Sequence, residues 1–138
     1  PKNTAVRPVV EVSHYTIDSV RSTVDFPLLT PRALPQGFAL LRVLVRSYPT
    51  AKEIQIQYSD GLSMLSLFQD RRGGPTPSAP PGSQIARARR PIMVKGSEGS
   101  FYDLGFLRLV EWRMNGNSLA LVGELEEGEM LKVAQSVE

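Results

Sequence analysis

Between Lys52 and Ser59 apolar and polar positions change places at every step, with Ile54, Ile56 and Tyr58 alternating with Glu53, Gln55 and Gln57. A period of two sends successive side chains to opposite faces of a strand, so an antiparallel strand with one buried and one solvated face is predicted. The preceding segment, Phe38–Ser47, sets Leu40, Arg42, Leu44 and Arg46 against Leu41, Val43 and Val45, one amphipathic face against one wholly apolar face. Ser59-Asp60-Gly61 then reads as a hairpin connection, Gly61 supplying the positive φ that such turns require. The next strand, Leu62–Phe68, has Leu62, Met64, Ser66 and Phe68 on one face and Ser63, Leu65 and Leu67, followed by Gln69, on the other. Two largely apolar faces predict a central strand covered on both sides, or a bulge near Met64–Leu65.

Phe106–Leu125 gives the clearest hairpin. Val110, Trp112 and Met114 oppose Glu111 and Arg113, Asn115-Gly116 is a strong two-residue turn signal, and the return strand carries Leu119 and Leu121. Near the start, Val10, Val12 and His14 alternate with Val9, Glu11 and Ser13, a further strand candidate. Val24–Phe38 carries prolines at 27, 31 and 35, each removing a donor and biasing its predecessor to extended backbone, so it reads as an extended segment. Arg71–Gln84 lacks periodicity and consists mostly of turn formers; the Pro/Gly-rich run at 73–84 reads as a long loop. At Gly96 and Gly99 a turn is predicted. At the end, Met130, Ala134 and Val137 recur at helical spacing with Leu131 and Val133 beside them. A helix over Glu126–Glu138 must lay that stripe on the sheet. The expected fold is α+β: about six antiparallel strands packed against one C-terminal helix.

Composition narrows the chemistry. The chain has 138 residues, a net charge of +2 and no cysteine. One domain is expected, nucleic-acid binding is not, and disulfides, zinc–thiolate sites and cysteine nucleophiles are excluded. No apolar run approaches the roughly 20 residues that span a bilayer. His14 is the single histidine, so nucleophilic triads and histidine-rich metal sites lack their base or ligands. Ser59 and Asp60 suit a turn better than catalysis. Glu126, Glu127 and Glu129 suit the first turn of a helix, where the dipole favours negative charge. Gly96–Ser100 lacks the lysine and spacing of a phosphate loop. Trp112, in phase with Val110 and Met114, reads as core. No catalytic, cofactor or metal site is expected.

One charge cluster remains. Arg71, Arg72, Arg87, Arg89 and Arg90 flank the loop, with Lys95 just beyond. If the loop joins neighbouring strands, these cations converge on one edge as a patch for an acidic partner or an anionic lipid headgroup. The alternative is a solvated loop whose charges guard a sheet edge.

Several short motifs occur in one order: Leu34-Pro-Gln-Gly-Phe38, Ile56–Phe68 with its Tyr-Ser-Asp-Gly, Val94–Gly99, the Trp112 hairpin and the helix at Glu126–Glu138. Together they resemble the C-terminal domain of the periplasmic sigma-E regulatory proteins of the RseB/MucB family, and equally the related domain of anti-sigma-linked and lipoprotein-carrier-like envelope proteins. The resemblance covers residues 31–138. It implies that residues 1–30 are an extended lead-in, or the tail of a preceding lipoprotein-carrier-like domain. The loop at 73–84 departs from the family pattern. The resemblance also implies binding rather than catalysis: a periplasmic or extracytoplasmic module, near the membrane, that grips an anti-sigma factor or another envelope protein. A lipid or lipoprotein carrier fragment is the alternative it leaves open.

Overall fold

Asn115 and Gly116 both take positive φ, 53° and 81°, the twist of a two-residue turn that suits the right-handed twist of its strands. That turn joins β7 (Arg108–Met114) to β8 (Asn117–Gly123). The structure, a computed structural model, describes residues 10–71 and 88–138. Its other elements are β1 (Val10–His14), α1 (Ile17–Arg21), β2 (Ala39–Ser47), β3 (Lys52–Ser59), β4 (Met64–Asp70), β5 (Arg89–Val94), β6 (Ser97–Asp103) and α2 (Glu127–Gln135).

The described strands form one eight-stranded sheet in the order β1-β2-β3-β4-β8-β7-β6-β5. Every neighbouring pair is antiparallel. Two four-stranded runs, each in chain order, therefore meet at a β4–β8 seam. Cross-strand register stacks one apolar face across that seam: Ile56 opposite Leu67, Leu67 opposite Leu121, Leu121 opposite Val110, Val110 opposite Phe101. These five are buried.

On this face lies α2. Nine residues are too few for a stable isolated helix, so its helicity depends on the contacts of Met130, Val133 and Ala134, all buried against the sheet. Burying a Met or Val side chain contributes about 1.5–3 kcal/mol each. Glu127 and Glu129 occupy the first turn and Lys132 the last, matching the helix dipole. Beyond the helix, Val137 bridges to Pro31, Thr30 N donates to Glu138 O at 3.1 Å, and Glu138 N donates to Thr30 O at 3.0 Å. Val20, Phe26, Leu28 and Leu29 belong to the same core cluster as the sheet.

A buried side chain fastens this lead-in to β4. Gln69 Oε1 accepts from Leu29 N at 2.9 Å and its Nε2 donates to Leu29 O at 2.7 Å. The amide thus satisfies both backbone groups of Leu29, as a neighbouring strand would.

Six strands and the closing helix fall where the alternation predicts them, and β5 and β6 bring the described strands to eight. β5 opens Arg89-Arg90-Pro91, tolerable only at an edge, where charge is solvated and a missing N–H costs nothing. In β6, Gly99 is a strand residue and not part of a turn; the turn is Lys95-Gly96, with φ of 50° and 81°. A Cβ at Gly99 would sit 2.4 Å from Glu111 O and 3.1 Å from Trp112 Cβ, so glycine permits the close approach of β7. β4 is central in the sheet but is not covered on both sides: Leu65 and Leu67 are buried, whereas Met64 is exposed, Phe68 is only partly buried, and Leu62, 95% exposed, lies in the turn before the strand. The ladder of β4 with β3 is unbroken, and the bulge lies in β2, between Leu40 and Arg42. The short α1 was not anticipated; Thr16 Oγ1 caps it by accepting from Ser19 N at 3.2 Å.

Candidate functional site

The polar residues singled out in the sequence have local work. Asp60 Oδ1 accepts from Leu62 N at 2.9 Å and Ser63 N at 2.8 Å, and Ser59 Oγ accepts from Gly61 N at 2.9 Å. Those backbone donors, Ser63 foremost, hold the Asp60 carboxyl below its ordinary range. His14 Nδ1 meets Ser19 Oγ at 2.8 Å, tying β1 to α1. Glu126, Glu127 and Glu129 stand at the head of α2. Among the described residues no group of three or more His, Asp or Glu side chains is placed to hold a metal ion.

The basic cluster does not converge in the way its loop suggested. β4 and β5 are not neighbours: β8, β7 and β6 lie between them. Arg71 therefore leaves β4 at one end of the sheet while Arg89 and Arg90 open β5 at the other; Arg72 and Arg87 lie outside the described residues. Arg90 pairs with Glu127 and stacks 5.0 Å from the Phe101 ring centroid. Lys95 meets Glu138 at 3.6 Å. Arg89 Nε donates to Ser100 Oγ at 2.7 Å. On the same face Tyr102 hydrogen-bonds Glu111, whose carboxyl is pushed up by desolvation and pulled back by Tyr102 and Arg89.

The two edges of the sheet differ. β5 carries Pro91, which lacks a donor, and α2 reaches it through Gln135, which donates to Met93 O at 3.0 Å and accepts from Lys95 N at 3.0 Å. Among the described residues β1 pairs only with β2, and Val10 and Val12 are exposed.

A recess of about 1250 Å³ opens at the end of the sheet where β2 turns into β3. Ser22–Phe26, the Tyr48–Lys52 turn and Arg71 line it. Lys52 Nζ donates to Thr23 O at 2.6 Å, and Arg71 Nη2 donates to Asn115 O at 3.1 Å. Sequence reasoning missed Lys52. The signal was there: counting outward from the Ser59-Asp60-Gly61 hairpin brings Lys52 opposite Arg71.

No protein-family model matches the chain, and no curated protein matches it either. Solved structures do. MucB in complex with MucA(peri) superposes over 83% of this chain and 37% of its own, with a TM-score of 0.56 and 23% identity. The fold is MucB-like. The MucA/MucB complex of Pseudomonas aeruginosa gives 0.53 and 24% identity over 83% of this chain and 36% of that one. The chain thus spans little more than a third of the MucB chains it matches. The MucB-like fold agrees with the resemblance read from the ordered motifs. Among the described residues no helix is long and apolar enough to cross a membrane.

Proposed function

We propose that this chain is a non-catalytic protein-binding module of the bacterial cell envelope, holding a segment of an anti-sigma factor outside the cytoplasmic membrane. The observation that carries this reading is the MucB-like fold, since the similar structures are complexes of MucB with MucA. The exposed edge of β1 supports it, because an extended partner segment gains main-chain hydrogen bonds by adding to a free strand. So does the burial of one sheet face under α2, which favours a binding module over a lipid carrier with an open apolar cavity. Arg89 and Arg90 at the start of β5 offer a contact for an acidic partner. No cofactor is invoked.

The test is capture by the purified chain of the extracytoplasmic segments of anti-sigma proteins from the same genome, followed by calorimetry. Saturable binding of one segment is expected, weakened when Arg89 and Arg90 are changed to Ala. If none binds to protein shown to be folded by circular dichroism, the reading fails.

A further inference from the structure

Lys52 and Arg71 both line the recess, and continuing the register one step beyond the last ladder pair, Glu53 and Asp70, would bring them opposite each other. Two like charges lining one recess repel each other. Among the described residues neither charge is held in an ion pair. All 14 acidic residues lie in the described segments, and no ion pair among the described residues joins one of them to Lys52 or Arg71. Each cation is instead held by a backbone carbonyl, Thr23 O for Lys52 and Asn115 O for Arg71. A carbonyl orients a cation and leaves its charge in place, and a guanidinium with five N–H donors or an ammonium with three can donate further.

The Arg71 side chain also has a prepared seat. It lies over the Asn115-Gly116 turn, where a Cβ on Gly116 would come within 2.8 Å of Nη2. Between the two cations the recess is lined by Val24, buried Phe26, Pro49 and Ala51, with Asp25 as its one acidic group. At about 1250 Å³ it is far roomier than a small inorganic anion needs. Two cations beside an apolar wall match a carboxylate flanked by apolar groups.

We propose that this recess binds an acidic residue of a peptide segment, its carboxylate bridging Lys52 and Arg71 and an adjacent apolar side chain resting on Phe26. The site rests on the reading of the chain as a protein-binding module and names the chemistry of the partner. Charge-assisted hydrogen bonds to a partly enclosed carboxylate are strong enough to dominate selectivity.

The experiment uses fluorescence anisotropy with the whole chain and a labelled peptide alternating Leu with Asp and Glu, against its counterpart with Asn and Gln. The wild type is expected to prefer the acidic peptide by at least about tenfold, and the preference shrinks as salt rises. Lys52→Gln with Arg71→Gln together abolish it, while Lys132→Gln on the outer face of α2 keeps it. Thermal melts establish that each variant is folded. A preference that survives in the double variant overturns the proposal. So does complete displacement of the peptide by an equal concentration of inorganic phosphate, which would mark a simple anion site. If the acidic peptide fails while an anti-sigma segment is still captured, only the recess is overturned; if capture fails as well, the module reading falls with it.

Discussion

Gln69 is the side chain whose removal should loosen the fold in a specific place. It is 1% exposed and joins β4 to Leu29 through two hydrogen bonds, at 2.9 and 2.7 Å. Gln69→Leu keeps the volume and removes both bonds, leaving the N–H and C=O of buried Leu29 without partners. Stranding a buried polar group costs about 1–3 kcal/mol, so a loss of about 2–4 kcal/mol is expected. That is a large share of the roughly 5–15 kcal/mol by which domains are stable. It corresponds to a fall in Tm on the order of 10 °C for a chain of this size. Trp112, the single tryptophan and 3% exposed, reports the transition in urea by fluorescence. Amide exchange followed by mass spectrometry should show residues 26–31 opening first. Gln69→Glu sharpens the test. Its ionised carboxylate accepts from Leu29 N but cannot donate to Leu29 O, and burial raises its pKa. A raised folded pKa gives stability that is present at low pH and lost as pH rises, so this variant should be closest to wild type near pH 4 and weakest at pH 7. If Gln69→Leu shifts stability by less than about 0.5 kcal/mol and leaves the Leu29 amide equally protected, the fastening role is wrong.

Two further perturbations probe the sheet. Desolvation pushes the Tyr58 phenol up to about 12 from 10.0; its contribution is therefore intact below pH 10 and lost as pH rises toward 12, because the unfolded chain releases that proton first. Ultraviolet titration should find one phenol ionising about two units late, and Tyr58→Phe should remove that step and flatten the alkaline fall in stability. Gly99→Ala places a methyl 2.4 Å from Glu111 O, so β6 and β7 must part; a loss of about 1–3 kcal/mol is expected in urea unfolding, and a neutral result would mean that the strands yield freely.

Where side-chain alternation was strong, the sequence announced the element. β3, the β7–β8 hairpin and the closing helix are legible because apolar and polar residues alternate along them at the period of the backbone, although the solvated face expected of β3 is not found: Gln55 and Gln57 are buried along with Ile54, Ile56 and Tyr58. β5 is not, because an edge strand is free to carry arginine and proline that a central strand rejects, and interior β6 is not, because its Gly99, which permits the close approach of β7, looks like a turn former. The basic cluster shows a different limit. Nearness in sequence across a loop implies nearness in space only if the flanking strands pair, and the partner of β4 turned out to be β8, whose residues lie some fifty positions away. Lys52 illustrates the converse, since the β3–β4 hairpin brings it into the recess that Arg71 lines although the sequence had grouped Arg71 with other cations.

The joint between residues 30–31 and 137–138 has a consequence for how the protein is made. The β4–β8 seam and this joint both link segments that are synthesised far apart in time. While Val137 and Glu138 are still within the ribosome, the sheet lacks its helix-covered face and Thr30 lacks its partner. Contacts of such long sequence separation slow folding, and half-built chains expose apolar strand faces to aggregation. The joint therefore cannot form before residues 137 and 138 have emerged, and pulse proteolysis of stalled chains should find residues 26–31 protected only once they have.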